Sequence, residues 1–378
     1  MAQLVEHILG KDEVTSSNLV SSSTACFLAG CFFFLKTYCI SFPFVVKYMR
    51  DLVLSGGGAL SQAENNPFEY SDTNKRYHTY DYYLRKRFLQ KCAKIPLDCG
   101  FTCPNIDGTC ATGGCIYCSG GSGARLVSGL LPLEEQYRRG IEKMRNKWDV
   151  KSFIPYLQAY TNTHTSPGIL EKILWDVSKF DGAVMIDIAT RADCLSEDIV
   201  AVIDRVSRVI PVTVELGLQT AKDETAELIN RGHDFDTFID GFRRLRVGAP
   251  NVKIGVHIIN GLPGESLQDM KNTAESVANL HPDLVKIHLL HVLSGTVLGD
   301  MYQRGEYTPM ERDEYIQIVC DQLELLPPDT VVERVTGDGI ASELLAPDWS
   351  RKKVTVINDI DKELFKRNTY QGKGLKSS

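Results

Sequence analysis

The sequence predicts an α/β protein built on a parallel sheet, and three observations carry that expectation. From residue 77 onward, strand-like and helix-like segments alternate, the pattern that gives parallel strands joined by helical crossovers. The strand candidates are near-continuously apolar, as strands covered on both faces are. Polar residues collect just past the strand ends, at Thr161, Asn162, Arg191, Asp193, Gln219 and Gly261, where sites in such folds gather.

Taken in order, "KCAKIPLDC" (91–99) reads as the first strand, followed by a cysteine-rich loop and a helix over 133–148. Further strands are expected at "FIPYLQAY" (153–160), "AVMIDIAT" (183–190), "VIPVTVELGL" (209–218), "VKIGVHIIN" (252–260) and "LVKIHLLHV" (284–292). Helical patterns near 168–178, 196–208, 223–247 and 266–280 lie between them. Six such β/α units suit an open doubly wound sheet and an incomplete barrel alike. After a helix over 311–325, residues 326–378 are expected to form a C-terminal extension with one more apolar strand, "TVVERVTG".

At 378 residues, 43% hydrophobic and 24% charged, the chain has the composition of an ordinary globular protein with one large domain spanning 77–325. A net charge of -6 gives no global reason for nucleic-acid binding. The local "SRKK" and "KELFKRN" stretches read as a solvated face, with an RNA contact as the alternative. Residues 25–48 are apolar, but Lys36 and Pro43 interrupt them, so neither half reaches the roughly 20 residues of a membrane span. The stretch "MAQLVEHILGKDEVTSSNLVSSS" resembles translations that run through a transfer-RNA gene, so residues 1–48 are expected to be a dispensable extension and the start to lie at or after Met49. Residues 49–76 read as a flexible Gly/Ser/Asn-rich linker.

Six of the eleven cysteines fall between Cys92 and Cys118, which in a large chain without a clean secretory signal points to a reducing, cytoplasmic setting and to metal. Cys115-Ile-Tyr-Cys118 supplies two thiolates at a spacing that shares one metal centre. Structural zinc wants a second such pair or a His pair, and no other CxxC occurs. Three cysteines around an iron-sulfur cluster fit better, because a 4Fe-4S cluster with three protein thiolates keeps one iron open to a small ligand. The third ligand is open between Cys103 and Cys110, with eleven and four residues separating each from Cys115, and Cys99 adds to the ambiguity.

The run "KIPLDCGFTCPNIDGTCATGGCIYC" resembles the cluster loop of the YhcC-like branch of radical S-adenosylmethionine (SAM) proteins, which reads LDGGFTCPNRDG, a short spacer, then GGCxFC. In order along the chain, "QAYTNTH", "ATRADCL", "VELGLQT", "LINRGH", "HIINGLPGE", "KIHLLHVL", "LELLPP" and "RVTGD" resemble the same family. Cys99, Ile106 and Ala192 stand where that pattern has Gly, Arg and Pro.

This resemblance implies an incomplete (β/α)6 barrel with a small C-terminal extension. It makes Cys103 the third ligand of a 4Fe-4S cluster beside Cys115 and Cys118, and Cys99 and Cys110 bystanders. It also implies SAM as a second cofactor, reductively cleaved to methionine and a 5'-deoxyadenosyl radical that takes hydrogen from an unidentified substrate, with an electron donor such as a flavodoxin or ferredoxin as partner. Tyr117 resembles the aromatic beside cluster and adenine. Gln219 and Arg231 match the residues that hold the SAM ribose and carboxylate in porphyrinogen-oxidising relatives, and His257 stands where those have an Asp. Gly261, Pro263 and Gly264 resemble the turn beside the adenine, and Asn162 and Arg191 are the remaining candidates for the methionyl end.

Plainer roles stand beside these. Arg231 could cap a helix C-terminus, "GLPGE" could be only a tight turn, and His288 and His291 could be satisfied core side chains instead of a metal or substrate site. Cys194 and Cys320 read as small buried hydrophobes. The competing functions are RNA or tRNA modification, by analogy with the elongator catalytic subunit, and a non-catalytic iron-sulfur or zinc module.

Overall fold

A computed structural model of the chain describes residues 66–119, 131–158, 160–337 and 341–375. The expectations for the extension (1–48) and for residues 49–65 of the linker lie outside the described residues.

Seven strands form one sheet: β1 (Cys92–Leu97), β2 (Ser152–Leu157), β3 (Ile186–Thr190), β4 (Val212–Gln219), β5 (Lys253–Asn260), β6 (Leu284–Leu289) and a seventh, Val331–Arg334. They lie in that order, and every neighbouring pair is parallel. A doubly wound sheet reverses its order at a switch point. Here the order never reverses, so the sheet is a curled, incomplete barrel. The curl is visible in one side chain: Lys94 Nζ on β1 lies 2.6 Å from Glu333 Oε1 on the seventh strand, across the interior.

Helices α1 (Tyr80–Phe88), α2 (Leu133–Arg145), α3 (Pro167–Val177) and α4 (Glu197–Ser207) accompany the first half. The single helix expected over 223–247 is two, α5 (Asp223–Leu228) and α6 (Phe235–Gly248). Asn230 at φ 54° and Gly232 at φ 83° are left-handed, which a helix interior does not accept, and the Asp234 carboxylate restarts the helix by accepting from Thr237 N at 2.8 Å. Next comes α7 (Leu267–Asn279), opened by a reciprocal Ser266–Asp269 cap.

Past β6 the chain makes β7 (Val292–Leu293), α8 (Val297–Gln303) and α9 (Arg312–Leu325) before the seventh sheet strand, β8 (Val331–Arg334). The strand expected in the extension thus joins the main sheet, Leu284 and Val285 facing Val331 and Val332. Then β9 (Leu344–Ala346) pairs antiparallel with β7, and α10 (Lys353–Lys366) packs on α9. The far end is tied back by Gln371, which donates to Pro327 O and Thr330 O and accepts from His78 N at 2.8 Å.

Candidate functional site

The cysteine loop is shaped by its own backbone and by the break between α5 and α6. Ile106 N and Asp107 N donate to Cys103 O at 2.8 and 3.0 Å, and Cys118 N closes a turn on Cys115 O at 2.9 Å. Asn230 Nδ2 donates to Thr112 O and Gly114 O at 3.0 and 2.8 Å, while Asn105 Nδ2 reaches Asn230 O and lies 3.6 Å from Cys115 Sγ. Gly232 is required at this contact, since a Cβ there would come within 2.9 Å of Asn105 Oδ1. The "INRGH" segment is therefore the bed on which the thiol loop lies.

Under the loop, at the C-terminal ends of the strands, opens a cavity of about 510 Å³. Cys103, Cys115, Cys118 and Tyr117 line it, together with Arg191, Gln219, Arg231 and His257 from the strand ends and loops. Among the described residues no three His, Cys, Asp or Glu side chains converge as one ion requires. The three thiols nevertheless border one cavity, and thiolates are the donors that an iron-sulfur cluster takes. None of the eight described cysteines forms a disulfide. Burial pushes the Cys115 thiol up, against a hydrogen bond from Tyr117. Cys99 packs against the main core, and Cys110 donates to Gly232 O from a separate groove shared with Cys194. Neither lines the cavity.

Arg191 is clamped: Nε and Nη2 pair with the Asp193 carboxylate at 2.9 and 2.7 Å, and Nη1 donates to Arg231 O at 2.7 Å. Arg231, 1% exposed, gives Nη1 to Leu218 O and Thr220 O and Nε to His233 O, yet its Nη2 is buried without a hydrogen-bond partner, 3.8 Å from Asp223 Oδ1. That unused donor beside the thiols suits an anionic oxygen. Arg231 thus anchors the α5–α6 loop from inside, which is more than a helix cap. Gln219 is left-handed (φ 64°), and Gly217 makes room for it, because a Cβ there would stand 2.6 Å from Gln219 Nε2.

Two groups of predicted residues fall elsewhere. Asn162 is fully buried, and its Nδ2 donates to Leu157 O and Ala189 O at 3.1 and 3.0 Å, joining the ends of β2 and β3 outside the cavity lining. Gly261, Pro263 and Gly264 line a neighbouring groove of about 530 Å³ with Tyr307 and Met310. Gly261 and Gly264 have φ of 89° and 78°, which explains glycine there, and Tyr307 donates to Gly261 O at 2.7 Å. In the same turn Glu265 accepts from Thr220 Oγ1, and burial raises its carboxyl to about 7.

The cavity floor brings His257 together with residues that the sequence did not single out. Lys94, Tyr156, Asp187, Glu215, His257, Lys286 and Glu333 come one from each of the seven strands and meet in the interior. Lys94 Nζ contacts Asp187, Glu215 and Glu333 at 2.5, 2.7 and 2.6 Å. Lys286 Nζ contacts Glu215 and Glu333 at 2.5 and 3.0 Å. Tyr156 OH donates to Glu215 at 2.6 Å, and His257 Nε2 sits 3.0 Å from the same carboxylate. Burial favours the neutral form of Glu215, but Lys286 and Lys94 outweigh it and hold the carboxyl well below its ordinary range. Burial, only partly offset by Lys94, raises Asp187 to about 6. The signal for this network is a charged residue at an alternate position inside an apolar strand, as in "IDIAT", "VELGL" and "VKIHL".

Comparison with known proteins adds the following. The family model described as "Radical SAM superfamily" matches residues 106–277, and "Radical_SAM C-terminal domain" matches 282–366. The chain is 45% identical over 311 residues to the "Uncharacterized protein YtqA" of Bacillus subtilis, covering 82% of this chain and 96% of that one. It is 29% identical to "Protein YhcC" of Escherichia coli, over 77% of this chain and 93% of that one. It is 27% identical to a "tRNA uridine(34) acetyltransferase" of Methanocaldococcus jannaschii, over 68% of this chain and 53% of that one. Among solved structures, the archaeal Methanocaldococcus infernus Elp3 superposes with a TM-score of 0.56 at 18% identity, covering 74% of this chain and 64% of that one. Among the described residues no helix is long and apolar enough to cross a membrane.

Proposed function

Because the chain belongs to the radical SAM superfamily, whose enzymes use a 4Fe-4S cluster and SAM, we propose that Cys103, Cys115 and Cys118 hold that cluster over the cavity, where SAM and substrate meet. The observation that carries this reading is that those three thiols line one cavity with Tyr117 and Arg231, a cavity that Cys99 and Cys110 do not line. When bound, the cluster supplies the electron that cleaves SAM to methionine and a 5'-deoxyadenosyl radical, which takes hydrogen from the substrate.

The chain's own residues do the positioning. Arg231 offers a donor to a carboxylate, Gln219 reaches from the end of β4, and Tyr117 walls the cavity beside the thiols. His257, with Nε2 committed to Glu215, has Nδ1 left for a hydroxyl or another donor. Asn162 supports the ends of β2 and β3, and Gly261, Pro263 and Gly264 shape the adjoining rim. A small electron-transfer protein such as a flavodoxin or ferredoxin would deliver the electron in the cytoplasm, where thiols stay reduced.

Anaerobic reconstitution tests the reading. The full chain should bind a 4Fe-4S cluster and release 5'-deoxyadenosine from SAM under dithionite, and alanine at Cys103, Cys115 or Cys118 should abolish both. One bound zinc and no nucleoside product would overturn it in favour of a structural module. RNA as substrate is a second reading, supported by the tRNA-modifying relative and countered by the acidic net charge. Salt-dependent binding of tRNA would favour it.

A further inference from the structure

We propose that His257 and His288 form a substrate-binding pair on the cavity floor that takes an uncharged hydrogen-bonding group, a carboxamide or lactam edge, and rejects carboxylates and ammonium groups, a role that rests on reading this cavity as the reaction site. The two rings stand on adjacent strands, β5 and β6, with centroids 5.3 Å apart and planes tilted by 51°. Both line the cavity.

Each ring has a nitrogen to spare. Glu215, ionised between two lysines, fixes the proton of His257 on Nε2, 3.0 Å from its Oε2, so Nδ1 carries a lone pair. His288 Nε2 is buried and makes no hydrogen bond. Buried polar atoms in folded proteins are nearly always paired, so an orphaned nitrogen in a cavity wall points to a ligand that completes it. Gly337 lies beside the neighbouring His291, where a Cβ would come within 3.1 Å of His291 Cε1, and 3.7 Å from His288 Nδ1.

The surroundings set the charge of what fits. Ile106, Ile259, Leu289, Leu290 and Leu293 make much of the wall apolar. The charges of Lys94, Lys286 and, near His288, Arg334 stand against those of Asp187, Glu215 and Glu333, three of each sign, so a charged group arriving at this end would lose its water and find no counterion in excess. Burial keeps both imidazoles below their ordinary range, with Lys286 adding to it for His257 and His257 for His288, so they meet the ligand uncharged at pH 7.

Three ligands of one shape isolate that chemistry: nicotinamide, nicotinate and 3-(aminomethyl)pyridine, titrated by calorimetry into the full chain carrying its reconstituted centre. Nicotinamide should bind about tenfold tighter than either charged analogue, the worth of one or two hydrogen bonds. His288→Phe, which keeps the ring volume, should erase that preference, and His288→Gln should restore part of it. Equal binding of the three, no binding of nicotinamide, or a preference that survives His288→Phe would overturn the proposal. SAM-dependent release of 5'-deoxyadenosine without substrate is followed in the same samples. If wild type releases none while nicotinamide still binds through His288, the catalytic reading fails and the floor site stands. If both variants release the nucleoside normally but no preference exists, the floor site alone fails.

Discussion

At the mouth of the cavity the thiols and Arg231 come from loops, whereas at the floor charged groups rise from strand interiors and pair with one another. Three thiols and Arg231 line the space above. Below, two lysines and three carboxylates from five strands close a network in which each lysine meets at least two carboxylates. The contrast teaches a division of labour: the mouth gathers thiols on loops for something added later, and the ion pairs of the floor fix the strands around them. Damage to the mouth should therefore remove chemistry and spare the fold, and damage to the floor should do the reverse.

The largest effect expected is at the mouth. Alanine at Cys103, Cys115 or Cys118 should eliminate iron binding and nucleoside release, while the urea midpoint of the apo chain stays within about 1 kcal/mol of wild type, since backbone hydrogen bonds hold the loop. Second is the floor: Lys286→Met leaves Lys94 as the one floor lysine against three buried carboxylates and should cost about 3–5 kcal/mol in urea unfolding. A loss under about 1 kcal/mol would erase the contrast between the two regions.

The rim between them comes third. Glu265 has a folded pKa of about 7, above its ordinary value, so it contributes stability below the unfolded value that is lost as pH rises through 7. Glu265→Gln should remove this slope, gaining about 3 kcal/mol on wild type between pH 4.5 and pH 8 in parallel urea titrations. Smallest of all, Cys110→Ser should leave iron content unchanged and move stability by less than about 0.5 kcal/mol, because its sulfur faces a groove away from the cavity. A loss of iron in this variant would return Cys110 to the ligand set.

Much of this arrangement could be read before any coordinates. Apolar runs located six sheet strands to within a few residues, and the spacing of Cys103, Cys115 and Cys118 within a resembling loop marked the mouth. Alternation alone did not decide between a doubly wound sheet and a barrel, because strand order is a long-range property; the unreversed order decides it. The break at Asn230–Gly232 is absent from the 223–247 helical pattern, although Arg231 as a helix C-terminal cap points to it, and the left-handed backbone at Asn230 and Gly232 shows the turn. Asn162 and the "GLPGE" glycines were placed at strand ends correctly, but whether a strand-end residue turns inward or to the rim depends on loop geometry that spacing does not encode. The floor was invisible for a related reason: Asp187, Glu215 and Lys286 each look like a lone polar interruption, and only the curl of the sheet brings them together.

The seventh strand has a consequence for biosynthesis. On the ribosome, β1 to β6 emerge well before Val331–Arg334, so the nascent sheet presents a bare β6 edge, a template for pairing with other chains, and Lys94 and Lys286 still lack Glu333. Translation that stopped short of residue 331 should therefore leave a fragment more adhesive than the finished chain, with an open edge where its last stave belongs.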